Sequence, residues 1–153
     1  MKSAERRLIA NNKRAKHDYF LEKIIESGIE LKGTEVKSVR QGKVSIKESY
    51  VDLKDGEAWL VGMHISPYEQ GNRYNVDPLR DRRLLLHKKE IRTLTQAVQR
   101  DGYTVVPLSV NLRDGKIKVD IALARGKKLY DKREALKEKD DLRRMERALG
   151  GRS

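Results

Sequence analysis

A mainly β fold with short helices is what this sequence predicts, its strands curling into an antiparallel barrel followed by a basic tail. Three observations carry that expectation. Asp55-Gly56 and Asp114-Gly115 each sit between β-rich runs, and Asp-Gly tolerates the positive φ angles of a two-residue hairpin turn. Apolar residues make up only 37% of 153 residues, with one Phe, one Trp and six Tyr, too few for a two-sided sandwich. After Leu123 the composition switches abruptly to charge.

Taken in order, residues 1–18 contain Lys2, Arg6, Arg7, Lys13, Arg14 and Lys16 with few apolar groups. This stretch is expected to be a mobile or RNA-ordered arm. From Tyr19 to Leu31 the pairs Phe20, Leu21 and Ile24, Ile25 recur at helical spacing, yet Gly28 and the β-branched content also suit a strand. A short helix is expected over residues 35–40, capped by Thr34, with Val36 and Val39 facing inward and Gly42 ending it. Residues 44–54 and 57–66 form the first hairpin, its second arm burying Trp59, Val61, Met63 and Ile65.

Residues 67–83, with two prolines and several charges, read as a long basic loop. A short strand at 84–87 precedes an amphipathic helix at 88–100, in which Ile91, Leu94 and Val98 fall at i, i+3 and i+7 before Gly102. The second hairpin alternates Val106, Leu108, Val110 and Leu112, then Ile117, Val119, Ile121 and Leu123. Short strands joined by hairpins, with little apolar material, fit an OB-like barrel best. The expected organisation is an arm at 1–18, a barrel at 19–124 and a tail at 125–153. The tail holds eleven Lys or Arg and six Asp or Glu, with a thin apolar stripe of Leu136, Leu142, Met145 and Leu149. Such a helix is marginal alone, so the tail is expected to be disordered by itself and helical on a target.

Charge and missing chemistry narrow the function. Thirty-five Lys and Arg against 23 Asp and Glu leave +12 at pH 7, which favours polyanionic partners over a solubility role. No apolar run approaches the ~20 residues of a membrane span, and the first residues lack a signal-peptide apolar region, so an intracellular protein with no membrane partner is expected. Zero cysteines exclude disulfides, a thiol nucleophile and Cys-ligated metals, and His17, His64 and His87 lack metal spacing. No metal, cofactor or catalytic residue is expected. Arg125-Gly126-Lys127-Lys128 fails as a phosphate loop because Ile121 stands where the first Gly belongs and Lys128 replaces Ser or Thr. Glu26, Glu30, Glu35 and Asp120 could converge only by chance. Basic and flat side chains are instead interleaved, as in Lys16, His17 and Tyr19, Arg73 and Tyr74, His87 to Lys89, and Lys127, Lys128 and Tyr130. RNA recognition uses that mixture.

Four ordered blocks then match one family: N-K-R-A-K-H-D-Y-F at 12–20, G-I-E-L-K-G-T-E-V-K-S at 28–38, R-R-L-L-L-H-K-K-E-I at 82–91 and A-R-G-K-K-L-Y-D-K-R-E at 124–134. From about residue 11 onward the chain resembles the SsrA-binding protein family (small protein B, SmpB). The resemblance implies an oligonucleotide-binding-type barrel that holds the tRNA-like domain of transfer-messenger RNA in the bacterial cytoplasm, without enzymatic activity. It implies delivery of the alanyl-charged complex by elongation factor Tu to the vacant A site of a stalled ribosome, for trans-translation. By the same resemblance the tail passes the 16S rRNA decoding centre and becomes helical in the empty mRNA channel. Carried over by position, Asn12, Arg14, His17, Glu26, Leu85, His87, Lys127 and Lys128 fall on RNA-contact positions. Tyr130, Asp131, Lys132, Arg133, Leu136 and Leu142 fall on the ribosome-directed tail. Ala122, where the family often has Gly, and Val76, where it often has His, depart from the pattern. A carboxylate such as Glu26 suits an RNA surface only if it accepts from a base amino group or orients a neighbouring cation.

Overall fold

The computed structural model describes residues 6–70 and 75–127. Among these residues nine strands and three α-helices run β1 (Arg6–Asn11), α1 (Lys13–Asp18), β2 (Tyr19–Ile29), α2 (Gly33–Arg40), β3 (Val44–Ser45), β4 (Tyr50–Lys54), β5 (Glu57–Val61), β6 (His64–Ile65), β7 (Arg82–Leu85), α3 (Lys88–Asp101), β8 (Thr104–Arg113) and β9 (Lys116–Gly126). Seven strands form one antiparallel sheet in the order β1-β8-β9-β2-β7-β5-β4, and β3 pairs separately with β6. β4 packs against β8 without a hydrogen-bonded ladder between them. The expected barrel is thus left open along that seam, and α1 lies beside it.

Both hairpin turns form as their residues demand: Asp55 and Gly56 take φ of 54° and 72°, Asp114 and Gly115 take 51° and 77°. α3 also follows its periodicity, burying Ile91 and Leu94 and ending at Gly102 in the left-handed conformation. Tyr19–Ile29, undecided by pattern, is a strand, paired along most of its length with β9.

Several expectations give way to tertiary contacts. The basic stretch expected to be an arm is built into the body from Arg6 onward: β1 pairs with β8, and the Arg7 guanidinium donates to the Arg40 carbonyl at 3.0 Å. The first hairpin is shorter than expected, because residues 44–54 divide into β3 and β4. Its burial phase also differs. Ala58 and Leu60 point inward, Trp59 and Val61 do not, and Gly62 at φ 85° shifts the phase so that Met63 and Ile65 are buried again. A Cβ at Gly62 would lie 3.0 Å from the Glu48 carbonyl, so that approach needs glycine. α2 starts at Gly33, not after a Thr34 cap, because the Glu35 carboxylate accepts from the Lys32 N–H at 2.9 Å. Val39 is buried as expected, whereas Val36 is only half-buried and Glu35 and Ser38 take buried positions.

That buried carboxylate explains the largest departure. Arg82, expected in a loop, opens β7 and is fully buried beside a Glu35 side chain only 3% exposed. Its Nε donates to Glu35 Oε2 at 2.8 Å, another nitrogen to the Pro78 carbonyl at 3.0 Å, and a third to the Met63 carbonyl. Arg80 adds a second guanidinium to Glu35. Burial pushes the Glu35 carboxyl up, but hydrogen bonds from Arg80, the Lys32 backbone and Arg82, with the charge of Arg82, outweigh it and hold the group below the ordinary value. The rest of the core is aliphatic, drawing Ile25 and Ile29 from β2, Leu60 from β5, Leu84 from β7, Leu94 from α3, and Val110 and Ile121 from the second hairpin.

Replacing Glu35 by Gln keeps the shape but strands a buried guanidinium, so it should lower unfolding free energy by about 3–5 kcal/mol in urea. Because the folded carboxyl titrates lower than the unfolded one, at about 4.3, its stabilisation is complete above that pH and vanishes as pH falls through the folded value. The Gln variant should lack that part of the acid limb. An unchanged urea midpoint would contradict this assignment.

Candidate nucleic-acid interface

β2 is the axis of the site. Ile25, Ser27 and Ile29 face the core, so Ile24, Glu26 and Gly28 face outward by the two-residue period. From Tyr19 to Gly28 that outer strip spans ~30 Å at ~3.3 Å per residue. Register fixes its neighbours: Glu26 lies opposite Asp120 of β9, which lies opposite Ser109 of β8, while Gly28 lies between Lys118 and Leu85 of β7.

Two polar sets lie on this side of the sheet, the part-exposed Glu26–Arg113 pair and a set of Asp120 with the buried Ser109 and Asn111. Arg113 donates to both Glu26 oxygens at 2.9 and 3.0 Å. Ser109 Oγ donates to Asp120 at 3.2 Å, and Asn111 Nδ2 reaches Ser109 Oγ at 3.0 Å. Glu26 therefore orients a neighbouring cation, which removes the objection that a bare carboxylate repels phosphate. Beside these sets lie two exposed aliphatic side chains, Ile24 at 62% and Leu85 at 47%. Gly28 makes room for Leu85 to lie across the strand, since a Cβ there would stand 3.2 Å from Leu85 Cβ.

At the Tyr19 end, α1 covers the outer face, seating Ala15 on Val106, Leu108, Ala122 and Ala124. Asn12 is buried, not a surface contact: its Nδ2 donates to the Pro107 carbonyl at 3.0 Å and its Oδ1 accepts from the Ala15 N–H at 3.3 Å. It caps the helix and so fixes Arg14 and His17 on the exposed side. Both lean on Asp18, Arg14 at 3.4 Å and His17 at 2.9 Å. His87 is exposed at the start of α3, where its backbone N–H donates to Glu90 at 3.0 Å.

Next to α1 lies the end of β9. Lys127 Nζ donates to the Lys16 carbonyl at 3.2 Å and stands 5.4 Å from the centre of the Phe20 ring. Arg125 pairs with Glu22 at 2.8 Å and covers the Tyr103 ring, whose hydroxyl donates to Glu22 at 2.6 Å. That hydrogen bond to a carboxylate raises the Tyr103 phenol above its ordinary value. Lys128, Tyr130, Asp131, Lys132, Arg133, Leu136 and Leu142, with Arg73 and Tyr74, lie outside the described residues. Among the described residues no group of three His, Asp or Glu is placed to hold a metal.

The fold thus brings Arg14, His17, Glu26 and Leu85 to one outer surface, reassigns Asn12 to its support, and leaves His87 beyond the end of β7. Arg113 and Ile24 were missed. Their signal was the outward phase of β2 and β8, invisible until β2 is known to be a strand.

Comparison with known proteins gives the same direction. The family model described as SmpB protein matches residues 9–151. The chain belongs to the SmpB family. An SsrA-binding protein of Acetivibrio thermocellus is 56% identical over 149 residues, 97% of this chain and 97% of that one. One of Caldicellulosiruptor bescii is 60% identical over 134 residues, 88% of this chain and 85% of that one. A solved structure described as "tmRNA-SmpB: a journey to the center of the bacterial ribosome" has a TM-score of 0.64 at 50% identity, covering 76% of this SmpB-family chain and 82% of its own.

Because the Glu26–Arg113 pair is part-exposed, it contributes about 0.2–1 kcal/mol to stability. Glu26→Gln should therefore unfold within about 1 kcal/mol of the unchanged chain in urea, leaving the site open to test without a folding defect. A larger loss would show that the pair holds the sheet together.

Proposed function

We propose that this chain is an RNA-binding adaptor that holds the tRNA-like domain of transfer-messenger RNA on the outer face of β2, β9 and β8 and enables its delivery to stalled ribosomes. The observation that carries the reading is the charge-neutralised Glu26–Arg113 pair, set between exposed Ile24 and Leu85 on a chain of net charge +12. Such a surface meets riboses and base edges, while Arg14, His17 and Lys127 reach phosphates. Family membership and the ribosome-associated relative support the same partner. His87 extends the face beyond β7, and Asn12 acts through α1.

The finer steps follow from the resemblance. Elongation factor Tu delivers the aminoacylated RNA with this chain to the vacant A site. Lys128 adds to the RNA contact, and Tyr130, Asp131, Lys132 and Arg133 begin the ribosome-directed tail past the 16S rRNA decoding centre. Counterion release from eleven basic residues in 125–153 then offsets an ordering cost of about 1–2 kcal/mol per residue, and mRNA in the channel removes that gain. The protein acts where ribosomes are, in the bacterial cytoplasm.

Affinity for the tRNA-like domain should fall with salt at a log–log slope of about −0.7Z to −0.9Z, with Z roughly 4 to 8; a flat response would sink the electrostatic footprint. Ending the chain after Tyr130 should leave that affinity within about 1 kcal/mol, by the small worth of exposed charges, yet abolish peptide tagging. Proline at both Leu136 and Leu142 should do the same, since proline costs about 3 kcal/mol or more inside a helix and little elsewhere. Full tagging by the proline variant would exclude a helical tail as the reader of the channel.

A further inference from the structure

The seam left open between β4 and β8 holds a cavity of about 260 Å³, bounded by α1 and by the turn that leads into β4. It is smaller than the ~300–1,000 Å³ of sites for drug-sized ligands and suits one planar ring system. Ala15 and Val106, both nearly fully buried, supply apolar lining, and Tyr19 and Tyr50 supply aromatic rings. Tyr50 is 48% exposed, so its ring is available to a ligand.

The polar lining says what kind of ring. Arg14 and Lys47 are balanced by Asp18 and Glu48, so a phosphate entering here would meet as many carboxylates as cations. Arg14 and Asp18 are paired with each other. Among the described residues Lys47 and Glu48, in contrast, have no ion-pair or side-chain hydrogen-bond partner, whereas Glu22, Glu26, Glu30, Glu35 and Glu57 are each bound to arginine. The turn presenting them is held firmly. Ser49 Oγ donates to the Ile46 carbonyl at 2.7 Å, and Gly62 lies against the Glu48 backbone.

We propose that this seam pocket receives one unstacked guanine of an RNA strand. The ring stacks on Tyr50, the Glu48 carboxylate accepts from the N1–H and the exocyclic amino group, and Lys47 takes an adjoining phosphate. Guanine is favoured because its pairing edge offers two neighbouring donors to a carboxylate, which uracil cannot. The inference rests on the RNA-binding reading and adds a base-selective site that borders the α1 end of the β2 face.

The test uses the full chain, ¹⁵N-labelled, titrated with the single-stranded RNAs UUGUU and UUUUU and with guanosine 5′-monophosphate. UUGUU should bind more tightly than UUUUU and perturb Lys47 to Tyr50. Tyr50→Ala should weaken UUGUU by about 5- to 160-fold, the range for one lost stack, while Tyr50→Phe stays near the unchanged chain. Glu48→Gln should erase the preference for UUGUU without weakening UUUUU. Equal binding of the two strands, a preference that survives Tyr50→Ala, or perturbations confined to other surfaces would each overturn the proposal. Tighter binding of the mononucleotide than of UUGUU would overturn the assignment to a strand. Binding of the tRNA-like domain by the unchanged chain is measured alongside: its failure sinks the reading of the β2 face, whereas loss of base selectivity alone sinks only the pocket.

Discussion

One buried ion pair fastens α2 to β7 and so fixes the Leu85 end of the proposed RNA face. Glu35 stands at the start of α2 and Arg82 at the start of β7, and between them they reach the Met63 and Pro78 carbonyls. β7 is only four residues long and meets β2 through two registered pairs, Gly28 with Leu85 and Ile29 with Leu84. Its other edge pairs with β5 at three positions, and the Arg82 guanidinium adds a fastening beyond both ladders, to the Met63 and Pro78 carbonyls. With it in place Leu85 lies across Gly28 on the same surface as Glu26. A hydrophobic pair could fill the same volume, but it would not bond to two carbonyls and to Arg80's partner at once.

The same logic redistributes the net charge of +12. Arg7 and Arg40 bond to backbone carbonyls that tie β1, α2 and the β8–β9 turn together. Arg83 bridges Glu30 and Glu57, Arg113 holds Glu26, and Arg125 holds Glu22. Arginine's planar fork suits these bonds to carbonyls and carboxylates. The cations left to meet RNA are therefore fewer than the composition suggests, and several sit on α1 and at the end of β9. The fold uses arginine as a strut and leaves exposed Lys13, Lys16 and Lys47 as surface charge.

Local chemistry made part of this legible from the residues alone. The Asp-Gly turns, α3 and the strands of the second hairpin were readable because turn geometry and period are properties of adjacent residues. A bulge between Pro107 and Ser109 nevertheless breaks the expected alternation and seats Val106 and Leu108 under α1 while Val110 enters the main core. Arg82 was not, since any periodicity scheme scores arginine as outward and its partner lies 47 residues away. Trp59 and Val61 were placed inward because nothing local marks Gly62 as the point where burial changes phase. β2 stayed undecided because its apolar residues fall at both periods; pairing with β9 decides it. In the site, Glu26 and Leu85 came from family resemblance, and Asn12 was read as a contact when its side chain is spent on capping α1. Arg113 was silent in sequence, because its importance is a distance to Glu26 across 87 residues.

The central claim is that the outer face of β2, with α1 at one end and Leu85 at the other, is where RNA binds. The most direct measurement is an amide NMR map of the ¹⁵N-labelled full chain with and without the tRNA-like domain of transfer-messenger RNA. The account predicts perturbations concentrated at Arg14, His17, Ile24, Glu26 and Leu85, with the exposed side of α3 at Arg92, Gln96 and Gln99 left quiet. Perturbations confined to α3, with Ile24 to Leu85 unmoved, would contradict it.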